Sequence, residues 1–573
     1  MKIISGWRSS NYLSRFGTFL ITVVLIMGMT GCDGYTPTSK DLEIWDWYGL
    51  YAVRNNLDGS HILMNDLDST TAGYTELASP AANGGKGWQP IGDGDNPFTG
   101  TFDGQEYQIE DLFINRPTEN GVGLFSYVDE GGVIENVGMV NIDVTGCLSV
   151  GGLVGANEGT VSNSYSTGSL TGNDFIGGLL GVNSFGGTVS NSYSTGNVTG
   201  NECVGGLVGY NRLWSTVSNS YSSGNVTGHY SVGGLVGFLH EGIVSNSYYN
   251  YDEVLINGEN IITIGALFSG DFEQWLANDK FLDVNERLSQ ENGYYVINNI
   301  TDFKELLAFG QDNSLKFRLK NDIDLATEPN FYIPYLAGEF DGNGHRTSNI
   351  TFNFDFVSQV GFFGYLAFDG NLTQVAAEDV NITGTWKVGG LVGGNGGTVS
   401  NSYSSGNVTG ELFVGGLVGA SEGTVSNSYS SGNVTGNDFI GGLVGVNGGT
   451  VSNSYSSANV TGEDGVGGLV GSNLFGTVSN SYSTGSVSGN EDVGGLVGMS
   501  GGNVSESFWD TETSGQATSD GGTGKNTTEM RDITTFSDAG WNITAVANPS
   551  MRNPEYIWNI VDEVAYPFLS WEP

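Results

Sequence analysis

The sequence predicts an all-β chain: a parallel β-helix, or β-solenoid, expected to be right-handed, in two tandem repeat arrays with short helical caps. The first observation is self-similarity. A GGLVG or GGLLG pentad begins at Gly151, Gly177, Gly205 and Gly233, and again at Gly389, Gly415, Gly441, Gly467 and Gly494. Its steps are 26, 28 and 28 residues in the first block and 26, 26, 26 and 27 in the second, a solenoid period. The second observation is residue type. The units are built from Val, Thr, Ser, Asn, Tyr and Gly, poor helix formers with no 3.6-residue apolar rhythm. The third is a period of two. In TVSNSYS, Val161, Asn163 and Tyr165 fall on one face and Ser162, Ser164 and Ser166 on the other.

Each unit reads as three short strands, VGGLVG, TVSNSYS and NVTG, separated by Gly-rich turns, which make one coil. A single coil buries nothing alone. Stacking at about 4.8 Å sets Leu on Leu and Val on Val and closes the backbone hydrogen bonds between neighbours. The motif GGLVG-x-N-x-G-T-V-S-N-S-Y, over Gly151–Tyr249 and Gly389–Phe508, resembles the GLUG repeat of bacterial surface and adhesin-like proteins. The resemblance implies a surface β-solenoid and very little about a ligand.

A larger duplication runs through the chain. Phe102-Asp103-Gly104 matches Phe340-Asp341-Gly342, and the first pentads keep the same offset. Each half opens with an expected amphipathic helix, at about Asp41–Asn55 and at Asp302–Phe309, the latter with an Asp302…Glu305 capping pattern. Helices there would cover the open solenoid ends, whose unpaired N–H and C=O groups invite aggregation. Asp271–Leu288 is expected to be helical between the halves. The chain is thus expected to divide into a leader (1–31), a tether (32–41), a first cap with degenerate coils (42–145), array 1 (146–250), a partly helical connector (251–292), a second cap with degenerate coils (293–383), array 2 (384–508) and a C-terminal cap or module (509–573) bearing Trp541, Trp558 and Trp571.

The leader carries Lys2, Arg8 and Arg15 and no acid, then the apolar run Phe19–Met29. It ends in Met29-Thr30-Gly31-Cys32, which resembles the bacterial lipobox. That resemblance implies cleavage before Cys32, diacylation of its thiol and a membrane anchor; an ordinary signal peptide is the alternative.

Composition narrows the function. Of 573 residues 92 are Gly and only 11 Pro, without a three-residue period, which excludes collagen. The formal net charge of −43 repels phosphate backbones, which argues against nucleic-acid partners. Between Gly146 and Asn250 the one basic side chain is Arg212, and between Gly384 and Phe508 it is Lys387, too few for a lyase that must hold an acidic polysaccharide. His61, His229, His240 and His345 are scattered, and no H-E-x-x-H occurs. That absence separates the chain from IgA-specific metalloproteases that carry similar repeats. No catalytic, cofactor-binding or metal residue stands out from its repeat equivalents, so no cofactor is expected.

Four columns remain. Tyr165, Tyr193, Tyr221, Tyr248, Tyr403, Tyr429, Tyr455, Tyr482 and Phe508 share a face with Val161 and its equivalents and are expected inside the coil, an external sugar-stacking stripe being the alternative. Asn163, Asn191 and Asn219 would then form a buried amide ladder. Acids recur after NVTG at Asp174, Glu202, Glu411, Asp438, Glu463/Asp464 and Glu491/Asp492, interrupted by His229. They are expected to be solvated turn acids rather than calcium ligands. The Asn-x-Thr triplets at Asn197, Asn225, Asn407, Asn433 and Asn459 read as strand-turn chemistry rather than glycosylation sites. Cys147 and Cys203 lie two coils apart, about 10 Å, too far for a disulfide.

The sequence therefore points to a non-enzymatic, exported lipoprotein, held on the membrane through Cys32. It would work by adhesion or multivalent contact with an unidentified surface ligand, a glycan or a matrix protein. A carbohydrate-binding or polysaccharide-degrading β-helix is the alternative. Specific recognition is sought in the segments unlike the repeats: Ala72–Pro97, Asn211–Ser215 with Trp214, and the Trp-bearing tail.

Overall fold

The computed structural model describes residues 42–572. The signal peptide, the tether and Cys32 lie outside the described residues. Each coil runs around four faces rather than three strands. In one coil they are Asp174–Gly177, Leu180–Asn183, Thr188–Ser190, and Tyr193–Ser194 with Asn197–Thr199. The extra corner falls inside the pentad, where a side chain has no room. A Cβ on Gly415 would lie 2.0 Å from the Val418 carbonyl oxygen, and one on Gly416 2.2 Å from the Gly442 carbonyl of the next coil.

The faces stack as parallel sheets in strict register. Val161, Val189, Val217 and Val244 oppose one another on successive coils, as do Val399, Val425, Val451, Val478 and Val504. The first half forms sheets of eight, five, ten and four strands, and the second half sheets of ten, twelve, seven and five. Among the described residues no strand of one half pairs with a strand of the other, so the two arrays are separate ladders. They nonetheless share one apolar core. At the seam Gln359 Nε2 donates to the Leu239 carbonyl (2.8 Å), and the Gln311 amide makes two bonds to the Ser247 backbone (3.0 and 2.8 Å).

A second corner reverses the expected side-chain order. Asn163, Asn191, Asn219, Asn401, Asn427, Asn453 and Asn480 all have φ between 48° and 51°, a left-handed conformation that Asn tolerates better than most residues. Strict alternation holds only while the backbone stays extended. Past this residue the parity flips, so Val161 and Ser164 both point inward while Tyr165 points out. The buried serines serve as wiring. Ser164 N–H donates to Ser192 Oγ of the next coil (3.2 Å), and Ser166 Oγ donates across the coil to the Gly178 carbonyl (2.6 Å).

The caps are shorter than expected. Leu42–Ile44 is a strand, because it pairs in parallel with His61–Leu63 as the first rung. The first helix is Trp47–Ala52, capped by Asp46, whose carboxylate accepts from Gly49 N–H (2.8 Å). At the second end the cap is Asn299, three residues before the expected Asp302. It accepts from Thr301 and Asp302 N–H, and helices Ile300–Lys304 and Leu306–Phe309 follow. The connector is not helical throughout 271–288. A helix spans Ser269–Ala277 and a 3-10 turn Val284–Glu286. Asp279 and Lys280, at φ 48° and 62°, end the helix, and Lys280 Nζ donates to the Asn219 carbonyl (2.6 Å). Thr523–Lys525 adds a last parallel rung on Phe508–Asp510, after which the chain builds a three-stranded sheet around Phe536, Trp541 and Trp558. Among the described residues no helix is long and apolar enough to cross a membrane.

Candidate functional site

The tyrosine column lies outside the coils, not in the core as expected. Its rings stack face to face: Tyr165 on Tyr193 at 4.7 Å, Tyr193 on Tyr221 at 4.8 Å, and Tyr403, Tyr429, Tyr455 and Tyr482 at 4.8 to 5.0 Å, with planes within 7°. Parallel register alone sets that spacing. Other segments then cover parts of the column. In the first half Trp275 packs edge-on against Tyr221 (6.3 Å) and Tyr248 (5.2 Å), leaving Tyr165 and Tyr193 half-buried. In the second half the C-terminal module lays Trp571 beside Tyr403 and Tyr429 (6.4 and 6.0 Å) and Trp558 beside Tyr455 and Tyr482 (6.1 and 5.7 Å). Burial pushes the Tyr221 phenol up to about 12, so it stays a neutral donor at physiological pH.

The buried amide ladder exists, but on a different asparagine. Asn163, Asn191 and Asn219 sit at the outward corner. The column in the core is Asn157, Asn183 and Asn211, the N of GGLVG-x-N, where each amide donates to the next at 2.8 Å. In array 2 it runs Asn395 to Ser421 (3.0 Å) and Asn447 to Asn473 (2.8 Å). The Asn-x-Thr asparagines make an exposed counterpart: Asn433 donates to Asn407 (2.9 Å) and Asn459 to Asn433 (3.2 Å).

The acids do not form one column. Asp174 opposes Glu202, and the next coil supplies Tyr230. Asp438, Asp464 and Glu491 are in register, whereas Leu412 holds that position in the coil before them and Glu411 and Glu463 fall one residue out. Burial first, then the neighbouring carboxylates, raises Asp438, and burial with Asp174 raises Glu202. Among the described residues three potential metal ligands converge elsewhere, at His240, Glu241 and Glu422 on the seam, with ligand atoms within 4.8 Å of one another. The buried Lys387 ammonium lies 3.5 Å from His240 Nδ1. Burial and that ammonium hold the imidazole below its ordinary range.

The remaining candidates are placed as follows. His61 is buried with Nε2 on the Asn56 carbonyl (2.8 Å), His229 is exposed, and His345 Nδ1 faces Asp322 (3.1 Å). Cys147 and Cys203 are both free; Cys203 is buried in the row of Ser149 and Phe175, and burial pushes its thiol well up. Of the segments unlike the repeats, Ala72–Pro97 places Trp88 fully in the core, whereas Trp214 is 70% exposed. Near it the Arg212 guanidinium lies over Phe185 and Tyr210 (5.5 and 5.3 Å).

One concavity joins the tyrosine face of array 2 to the C-terminal module. It encloses about 620 Å³ and is lined by Tyr403, Tyr556, Trp571, Asn401, Asn427 and Arg346 among others. The tail and its tryptophans were legible as an unlike segment. That it folds back onto coils some 150 residues earlier, with Trp571 Nε1 donating to the Asn427 carbonyl (2.9 Å), leaves no local signal.

The model of the GLUG motif family matches residues 146–171, 200–227, 384–409 and 462–488. The chain is 35% identical over 174 residues to halomucin of Haloquadratum walsbyi, covering 30% of this chain and 2% of halomucin. It is 40% identical over 116 residues to a "Putative Gly-rich membrane protein" of Evansella cellulosilytica, covering 19% of this chain and 12% of that protein. The chain thus spans only a small part of either relative. A crystal structure of "a putative immunoglobulin A1 protease from Bacteroides ovatus" aligns over 94% of both chains at 15% identity and a TM-score of 0.19, which carries no argument about activity. Two repeats in each array match the GLUG motif, and the chain winds its repeats into a parallel β-solenoid.

Proposed function

We propose that the chain is a non-catalytic surface protein, anchored through a lipid on Cys32, that adheres by multivalent contact. The observation that carries this reading is the in-register repetition of outward side chains. The stacked, half-buried Tyr165 and Tyr193 and the exposed amides of Asn407, Asn433 and Asn459 present near-identical positions at successive coil steps. A rigid row of weak, equivalent contacts gains avidity from number rather than from any one site. The lipobox-like Met29–Cys32 and a relative named a membrane protein support a place at the cell envelope.

Coil number is the variable to test. Deleting residues 177–204 removes one 28-residue step and keeps the pentad register, and duplicating the same segment adds one. Cells displaying the three forms should adhere to a glycan- or matrix-coated surface in the order of coil number. Equal adhesion across the series, or new reducing or unsaturated ends released from polysaccharide, would refute the reading. Loss of labelling by a palmitate analogue in Cys32→Ala tests the anchor.

A further inference from the structure

The groove between array 2 and the C-terminal module differs from every repeated position. In register, its column runs Arg346, Ala376, Tyr403, Tyr429. Ala376 stands where later coils carry a ring, so the stack stops at Tyr403. That ring, 5% exposed, lines the cleft. Trp571 and Tyr556, the latter 36% exposed, form the walls. The result is a cleft of about 620 Å³, inside the range of about 300–1,000 Å³ usual for organic ligands.

The polar lining of the cleft includes the amides of Asn401 and Asn427, the hydrogen-bonded amide of Asn542 and the exposed carboxylate of Glu555. Among the described residues neither Asn401 nor Asn427 makes a side-chain hydrogen bond, and Asn427 Oδ1 is buried with no donor. Of the corner asparagines in the first half, Asn163 pairs with Asn136 (3.2 Å) and Asn246 with Asn219 (2.7 Å). The Arg346 guanidinium of the cleft is already answered by Glu378 at 3.5 Å, and His345 Nδ1 lies 3.1 Å from Asp322. A ligand matched to this lining has flat C–H faces for the aromatic rings. It has groups that both donate and accept for the amides, and no anionic group to meet the Glu555 carboxylate.

We infer that this groove binds a neutral oligosaccharide, its ring faces on Tyr403, Tyr556 and Trp571 and its hydroxyls on the amides of Asn401 and Asn427. The site is unique rather than repeated, and it does not rest on multivalent adhesion.

The test titrates the full chain with the neutral hexaoses of maltose, cellulose, xylan, mannan, laminarin and chitin, with hexagalacturonate as the acidic arm. Calorimetry and tryptophan fluorescence report binding. Saturable one-to-one binding of at least one neutral hexaose is expected, with Kd below about 1 mM. Asn401→Gly, which keeps the positive φ, and Tyr556→Ala should each weaken it at least tenfold with an unchanged melting midpoint. Deletion of residues 177–204 should leave Kd unchanged, which separates this site from the repeated columns. Failure of all six neutral hexaoses, preference for hexagalacturonate, or binding indifferent to both substitutions would overturn the inference.

Discussion

Replacing Asn183 by Ala removes the middle of the buried amide ladder. The Asn183 amide accepts from Asn157 (2.8 Å) and donates to Asn211 (2.8 Å) and to the Gly187 carbonyl (3.1 Å), with no access to water. Each such bond is worth about 0.5–1.5 kcal/mol net, so losing three costs about 3 kcal/mol. Asn183→Asp should cost more at neutral pH. Its carboxylate still accepts from Asn157 but meets Asn211 Oδ1 and the Gly187 carbonyl as acceptor against acceptor. Solenoids unfold in blocks, so the local readout is native-state hydrogen exchange at Thr188, whose N–H bonds the Gly159 carbonyl of the previous coil (2.8 Å). A loss of about 3 kcal/mol appears there as roughly a hundredfold fall in protection. Asn183→Ala combined with Asn211→Ala should be non-additive by about 1 kcal/mol. Asn191→Gly, at the outward corner, should change protection by less than about 0.5 kcal/mol. Equal effects at Asn183 and Asn191, or an aspartate tolerated as well as alanine, would refute the ladder as the polar spine of the core.

Three further outcomes follow from the same structure. Val189→Ala, in the core, should cost about 2–3 kcal/mol in urea unfolding, whereas Tyr193→Ala should lose only external stacking, about 1–2 kcal/mol, with the β-sheet circular dichroism intact. Gly415→Ala forces a Cβ to 2.0 Å from a backbone oxygen, and the expected result is loss of soluble, folded protein. Burial raises Glu572, whose carboxylate accepts from Leu569 N–H (2.7 Å), to about 7. Its folded pKa exceeds the unfolded one, so its contribution is complete below about pH 4.5 and is lost as pH rises through about 7. The melting midpoint of the C-terminal module should therefore fall across that window, by the equivalent of about 2–3 kcal/mol, and Glu572→Gln should flatten the profile.

The fold was legible because its determinants are local and repeated. Pentad spacing gives the coil length, and valine and leucine at fixed offsets give the core, each step confirming the last. What the sequence hid turns on backbone angles and distant contacts. The period-two pattern of TVSNSYS carries no sign that Asn163 sits at φ 48°, yet that one angle moves Tyr165 from core to surface and the buried amide from Asn163 to Asn157. Four faces instead of three follow from the Gly–Gly corner, which reads in the sequence only as a strand rich in glycine. Helix limits slipped where tertiary pairing overrode propensity, as when Leu42–Ile44 joined the sheet. The groove was least visible of all, because Trp571 and Asn427 meet across 144 residues with no repeat to announce them.

Spin-label distances across array 2 test the stacking itself. Asn407, Asn433, Asn459 and Ser486 occupy one outward row on four successive coils. With the native cysteines replaced, labels at 407 paired with 433, 459 or 486 should be separated by about 5, 10 and 14 Å, one strand spacing per step. A series that climbs in those even steps is the expected result. Separations that jump by a domain's width between neighbouring copies, or that do not increase with coil number, would contradict the stacked, in-register solenoid.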